Sequence, residues 1–343
     1  MFSAVFCDRP SKSSPVPAAQ RDKEVCEQLG GTPIVFEVLT LMALWYFAEC
    51  RCDFVVLEVG IGGKLDATNC IPAPAAALIA QLGFDHTETL GSTIEEIAAQ
   101  KGGIAKPGSQ LVMAEQEPAA LRVVEQLCRE QGCGFTVADP ERLQVLSTSP
   151  EGQRLRDRTY GELLLPLAGS HQVKNAANVL TVVEVLKGEG FAIPDRAVRQ
   201  GIERTVWPAR FERLSRSPDF ILDGGHNPQC VQAAVQALQD YYPGKKVVFL
   251  TGMMKDKDSA AMLAKMAEVA KAFVCLHADS DRAFGAQELA REIENTLSLA
   301  AYPAASAQEG CALAQRLAGE QGVVCALGSL YLAGEIRAVF HRE

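Results

Sequence analysis

The sequence predicts two successive α/β domains with mostly parallel sheets, the first ending near Trp207-Pro208. Three observations carry this. The chain has 343 residues and 48% apolar content, too long for one ordinary core and sufficient for two. Short β-branched runs alternate with helix-length stretches from Ile34 to the C-terminus. Several of those runs end in glycine-rich turns, as strands feeding helices in an open parallel sheet do.

Taken in order, residues 1–33 are rich in Ser, Pro, Gly and charge, as in Ser11-Lys12-Ser13-Ser14-Pro15-Val16-Pro17, and are expected to form a disordered tail. A helix is expected over Ile34–Cys50, then a strand over Asp53–Val59 that runs into a glycine turn. Another strand, near Ala77–Leu82, leads to Gly83-Phe84-Asp85-His86. Ser92-x-x-Glu95 is expected to be the capping box of the helix that carries Lys101. Strands near Gln110–Ala114 and Phe135–Val137 bracket a helix near Pro118–Glu130.

The second domain is expected to run strand Phe220–Asp223, helix Pro228–Tyr241, strand Lys246–Thr251, helix Ser259–Lys271 and strand Phe273–His277. A helix near Ala307–Gly319, a strand over Val323–Leu327 and a C-terminal helix complete it.

A formal net charge of −9 gives no general attraction to phosphate backbones or anionic membranes, which argues against a nucleic-acid or membrane partner. Eleven cysteines without metal-ligand or redox spacing suit a reducing compartment, most of them as small buried hydrophobes. The longest apolar run, around Ile34–Ala48, is interrupted by Glu37 and is too short to span a bilayer. A cytoplasmic protein is expected.

Chemistry concentrates in three motifs. In Leu57-Glu58-Val59-Gly60-Ile61-Gly62-Gly63-Lys64-Leu65-Asp66-Ala67-Thr68-Asn69, a strand delivers a carboxylate next to its end, where a hard cation could meet it. Pairing with a core lysine or capping of a loop is the commoner role for an isolated Glu. The motif is neither a phosphate loop, since Leu65 follows Lys64 and position 58 is not Gly, nor a dinucleotide fingerprint, since position 65 is not Gly. In Gly83-Phe84-Asp85-His86-Thr87-Glu88, His86 is a metal-ligand candidate against an even chance of a structural hydrogen bond, and Lys101 lies at the following helix end, where a solvated lysine is the default. In Phe220-Ile221-Leu222-Asp223-Gly224-Gly225-His226-Asn227-Pro228, a Gly-Gly turn and a helix opened by Asn227-Pro228 aim backbone N–H groups at one spot, an anion site flanked by Asp223 and His226. Alone, this motif is better explained by an N-capping Asn227 and a surface His226.

These motifs, in this order, resemble those of the folylpolyglutamate synthase/dihydrofolate synthase family, relatives of the Mur ligases. The resemblance extends through Phe36-Glu37-Val38-Leu39-Thr40, Leu167-Ala168-Gly169-Ser170-His171-Gln172 with Asn175-Ala176, Trp207-Pro208-Ala209-Arg210, Met254 with Asp256-Lys257-Asp258, and Gly328-Ser329-Leu330-Tyr331-Leu332. It covers about Pro33 to the C-terminus and implies a Mur-ligase-like fold: a central ATPase and folate-binding domain over 34–209, then a smaller Rossmann-like glutamate-ligase domain over 210–343.

The resemblance implies ATP-dependent joining of L-glutamate to dihydropteroate or to a folate through an acyl phosphate, with Mg²⁺ neutralising the phosphates. By motif, Glu58, His86 and a carbamylated Lys101 fall at metal positions, and Asn175, Arg210, Asp223 and His226 at ATP positions. Lys101, Asp223 and His226 fall at catalytic positions, Asp66 and Ala67 at the pterin, and His226 and Ser329 at the glutamate. The partners implied are small molecules, on a monomer.

The family also carries an N-terminal P-loop that residues 1–343 do not contain. An N-terminally truncated member, inactive in isolation, is therefore expected. The rivals are a Mur-type amino-acid ligase, a non-catalytic folate- or partner-binding remnant and, more remotely, a dinucleotide dehydrogenase.

Overall fold

The computed structural model describes residues 34–341; the tail expected over 1–33 lies outside the described residues. The chain divides into two compact units, one ending at Val137 and the other beginning at Ala138.

In the first unit, helix α1 (Val35–Glu49) is followed by strand β1 (Ala77–Ile79), the short helix α2 (Thr87–Leu90) and helix α3 (Ile94–Gly102). Strand β2 (Gln110–Met113), helix α4 (Pro118–Gln131) and strand β3 (Gly134–Val137) complete it. The strands pair in parallel in the order β1-β2-β3. Leu111 and Met113 pack against Ala98 of α3 and Val124 and Cys128 of α4. Helix α4 begins on Pro118 and ends where Gly132 turns left-handed at φ 67°, punctuation legible in the sequence.

Two expectations need correction here. Residues 54–59 form no ladder among the described residues, and Val55 and Val56 are exposed. β-branched composition favours extended backbone, but a strand requires a neighbour to pair with. The capping box of α3 is Thr93 with Glu96, one residue later than expected: Glu96 accepts from the N–H groups of Ser92 and Thr93, and Thr93 Oγ1 accepts from Glu96 N–H.

The second unit opens with an antiparallel meander that the sequence did not announce, β4 (Leu143–Ser149), β5 (Gly152–Asp157) and β6 (Gly161–Leu165). Helices α5 (Ser170–Gly188) and α6 (Asp195–Glu203) pack on it through Leu155, Leu163, Ala177, Leu180 and Val198.

Strands β7 (Glu212–Arg216) and β8 (Asp219–Leu222) then lead into helix α7 (Pro228–Tyr241), strand β9 (Val247–Thr251), helix α8 (Ser259–Ala267) and strand β10 (Ala270–Cys275). Helix α9 (Ala286–Leu297), strand β11 (Ala301–Pro303), helix α10 (Ala307–Ala318), strand β12 (Val323–Ala326) and helix α11 (Leu330–Phe340) follow. The sheet order is β11-β10-β9-β12-β8-β7, parallel except for β7. Helices cover both faces, Phe249, Phe273 and Val235 lying in one core and Phe220, Leu250 and Val324 in the other. The expected helix Ser259–Lys271 is shorter, because Ala270 and Lys271 already belong to β10.

Among the described residues no helix is long and apolar enough to cross a membrane. Cys50, Cys128, Cys133, Cys275, Cys311 and Cys325 are buried, as small hydrophobes would be.

Candidate functional site

In the first unit, the glycine turn is organised by Asp66. Its Oδ2 accepts from the N–H groups of Gly60 and Ile61, each at 3.0 Å, and its Oδ1 accepts from Thr68 N at 3.0 Å and Thr68 Oγ1 at 2.6 Å. Asp66 is thus the N-cap of a single 3₁₀ turn over Ala67–Cys70 and the latch of the loop before it. The turn rests on the end of α3: Lys64 N donates to Gln100 O at 2.9 Å, and a Cβ at Gly63 would stand 2.9 Å from Lys101 O. Asn69 Nδ2 donates to Gly103 O at 3.1 Å, and Lys106 Nζ donates to Asn69 O at 2.7 Å.

The same docking places Lys101 beside the turn. Burial pushes its ammonium below the ordinary value, partly offset by the charge of Asp85. His86 stands at a left-handed residue (φ 50°) ahead of α2, its Nε2 3.9 Å from Asp85 Oδ1. Glu58 and His86 are exposed. No three Asp, Glu, His or Cys side chains gather as a ready metal cage among the described residues. Asp85, beside both His86 and Lys101, is a member of this group that the motif reading passed over.

In the second unit, the loop after β8 carries the densest polar cluster. Asp223 Oδ2 accepts from Phe211 N at 2.9 Å and Oδ1 from Gly225 N at 2.8 Å. Burial raises its carboxyl, against the two N–H donors and the charges of Arg210 and His171. Arg210 is set by a strained turn: Ala209 (φ 56°) and Phe211 (φ 48°) on either side of it are both left-handed. Its Nη1 donates to Ala209 O at 3.4 Å, and a Cβ at Gly224 would stand 3.1 Å from that nitrogen, so the glycine admits the guanidinium. His226 Nδ1 lies 3.1 Å from Gly224 O, and Asn227 caps α7 by accepting from Cys230 N at 2.9 Å.

His171 is the residue sequence reasoning left without a role. Burial lowers its imidazole below the ordinary value, with Asp223 opposing and Arg210 adding to the shift. Its ring covers Gly169, where a Cβ would stand 2.6 Å from the imidazole Cε1 at φ 99°. That glycine was the available signal, since only a residue without a side chain leaves room for the ring. Its N–H donates to Tyr241 Oη at 2.8 Å and its carbonyl accepts from Gln153 Nε2 at 2.9 Å.

One turn further along α5, Asn175 Nδ2 donates to Gln172 Oε1 at 3.1 Å. Both amides stand at a pocket of about 380 Å³ whose wall includes Leu167, Val179, Val183 and Ile202. Ser329 is the buried N-cap residue of α11. Asn175, Arg210, Asp223, His226 and Ser329 thus all lie in the second unit, and Glu58, Asp66, Ala67, His86 and Lys101 in the first.

Comparison with known proteins gives matches to the family models described as Mur ligase middle domain, over residues 35–183, and Mur ligase, glutamate ligase domain, over residues 209–330. The dihydrofolate synthase/folylpolyglutamate synthase of Bacillus subtilis is 32% identical over 316 residues, covering 90% of this chain and 72% of that protein. Its Mycobacterium tuberculosis counterpart is 33% identical over 339 residues, with 90% and 69% covered. Among solved structures, Mycobacterium tuberculosis folylpolyglutamate synthase complexed with ADP superposes with a TM-score of 0.84 at 28% identity, over 96% of this chain and 78% of that one. Escherichia coli FolC in complex with DHPP and ADP superposes with a TM-score of 0.82 at 26% identity, over 98% and 80%. The fold of this chain is therefore the Mur-ligase-like α/β fold expected.

Proposed function

Because the chain belongs to the dihydrofolate synthase/folylpolyglutamate synthase family of ligases, we propose that it joins L-glutamate to dihydropteroate or to a reduced folate at the expense of ATP. The observation that carries this is the cluster of Arg210, Asp223 and His171 around the Gly224-Gly225 turn at the carboxyl end of β8. Such a turn, opening onto the amino end of α7, suits a phosphate, and Arg210 supplies a fork of donors for it. The Asn175 amide at the mouth of an apolar pocket suits the edge of an adenine ring.

In this scheme an acceptor carboxylate oxygen attacks the γ-phosphorus and ADP departs. The amine of glutamate adds to the acyl carbon, and the tetrahedral intermediate expels phosphate and releases a proton from nitrogen. Arg210 balances charge on the transferring group. His226, held by Gly224 O, and Ser329 serve the incoming amino acid, and Asp66 and Ala67 the pterin. The functional boundary is placed between 209 and 210.

Mg²⁺ belongs to the same proposal, with Glu58 and His86 as candidate ligands and Lys101 as an oxygen donor once carbamylated. Burial lowers the Lys101 pKa, a shift toward the free amine that carbamylation requires. No step is routed through the ion. A cytoplasmic monomer completes the proposal.

The test is incubation of the purified chain with ATP, Mg²⁺, L-glutamate and dihydropteroate, with ADP and product followed by mass spectrometry. An acceptor heavier by one glutamyl unit, formed with one ADP, supports the proposal and overturns the expectation of an inactive fragment. ATP turnover with a nucleotide-linked peptide acceptor instead would assign a Mur-type ligase, and folate binding without turnover a binding protein.

A further inference from the structure

Four buried hydroxyls of the second unit have no hydrogen-bond partner among the described residues, those of Tyr160, Tyr242, Thr251 and Ser329, and the last two lie close together in the fold. They stand at the carboxyl ends of neighbouring parallel strands, Thr251 closing β9 at 1% exposure and Ser329 following β12 at 6%. Ligands of open parallel sheets collect at this edge. Hydrophobic pattern alone would accept valine at the end of Val247-Val248-Phe249-Leu250, and an unsatisfied buried hydroxyl costs stability. The hydroxyl at position 251 is therefore retained against the interest of the unliganded fold.

Its location says what it serves. A Cβ at Gly328 would stand 2.6 Å from Thr251 Oγ1 and 3.2 Å from Gly252 O, at φ 116°, so the turn before Ser329 lies directly on the threonine. Gly328 N donates to Gly225 O at 2.9 Å, which joins this turn to the loop after β8. Beyond it, α11 starts without a side-chain cap, since the Ser329 hydroxyl makes no capping bond, and its first turn has no acidic residue. The open N–H groups of this 11-residue helix favour an anion. Helix amides and a serine hydroxyl are neutral donors that suit a carboxylate.

We propose that Thr251 is a positioning residue for a carboxylate of the incoming amino acid. Its hydroxyl, unpartnered in the unliganded chain, gains its partner in the Gly328-Ser329 turn when Ser329 and the amino end of α11 present their donors to that carboxylate. The proposal rests on the ligase reading above and adds a residue with no direct role in phosphate transfer.

The experiment compares the wild-type chain with Thr251→Val, which keeps the shape and deletes the hydroxyl, and Thr251→Ser, which keeps the hydroxyl. KM values for L-glutamate and ATP, kcat and the urea midpoint are measured for each. Thr251→Val is expected to fold with an unchanged or higher midpoint while KM for L-glutamate rises about tenfold, with KM for ATP and kcat little changed. Thr251→Ser is expected to restore KM. An unchanged KM for L-glutamate in Thr251→Val overturns the proposal, as does a rise that serine does not rescue. If wild-type protein forms no glutamylated product, the ligase reading fails separately. The subsite is then read from the Tm shift given by L-glutamate, compared with inorganic phosphate. A glutamate shift lost in Thr251→Val and kept in Thr251→Ser supports the proposal. No glutamate shift, or a Thr251-dependent shift with phosphate alone, overturns it.

Discussion

Arg142 grips Asp157 at two points, Nε to Oδ2 at 2.7 Å and Nη2 to Oδ1 at 3.3 Å, with both side chains buried. The other edge of the guanidinium meets Glu184 of α5 at 3.0 and 2.6 Å. The meander is thereby fastened to the helix that carries Asn175. Removing one member of such a pair leaves a buried charge, so Arg142→Met is expected to cost about 3–5 kcal/mol in urea unfolding. Burial alone would raise the Asp157 carboxyl, but hydrogen bonds from Arg142 and from the N–H groups of Tyr160 and Thr159 hold it below the usual carboxylate range. A depressed carboxylate contributes stability above its unfolded value of about 4, and that stability is lost as pH falls through the native value. The variant should therefore lose less stability than the wild type across that acid window; equal slopes would refute the account.

Asp66 accepts four hydrogen bonds that close the glycine turn, independently of any ligand. Asp66→Ala is expected to lower the stability of the unliganded protein by about 1–3 kcal/mol, measured by urea unfolding. A variant as stable as wild type, with only folate binding impaired, would show that the carboxylate serves the pterin alone.

His171 gives a second pH test, with the sign set by its lowered imidazole pKa. A histidine depressed in the native state contributes stability above its unfolded value of about 6.5, lost as pH falls through the native value. Urea midpoints at pH 7 and pH 5 should differ less for His171→Gln than for wild type. A variant with the wild-type pH dependence would remove this group from the account.

Arg210 is oriented by two left-handed neighbours and admitted by Gly224, a geometry suited to a planar fork. Arg210→Lys preserves charge and loses the fork, and KM for ATP is expected to rise about tenfold or more. Asn175→Ala should likewise weaken ATP while leaving KM for L-glutamate in place. Equal effects on both substrates would point instead to a general disturbance of the second unit.

Legibility in the sequence followed the strength of local punctuation. Helix α7 has the expected limits because Asn227-Pro228 is an unambiguous start. The α3 start slipped by one residue because Ser92-Thr93 and Glu95-Glu96 offer two overlapping capping frames, and only the folded backbone selects Thr93 with Glu96. The meander escaped notice because β5 alternates Arg154 and Arg156 with buried Leu155, and its buried polar members, Gln153 and Asp157, find their partners outside the strand. Residues 54–59 show the converse error, since β-branched composition marks extended chain and does not supply a partner. At the candidate site, residues in motifs were legible as candidates. His171 and Thr251 were not, because their environments arise from residues far away in the sequence, Asp223 and Arg210 for His171 and Gly328 for Thr251.

Arg337 of α11 pairs with both carboxylate oxygens of Glu212, at 3.0 and 3.1 Å, and Glu212 accepts from Ala209 N, the residue next to Arg210. The last helix is thus a strut whose first turn holds Ser329 and whose far end steadies the loop of Arg210. A nonsense or frameshift mutation at codon 331 would leave every candidate residue encoded, from Glu58 to Ser329. Genetically such an allele should nevertheless behave as a null, and surveying motifs alone would score it as intact.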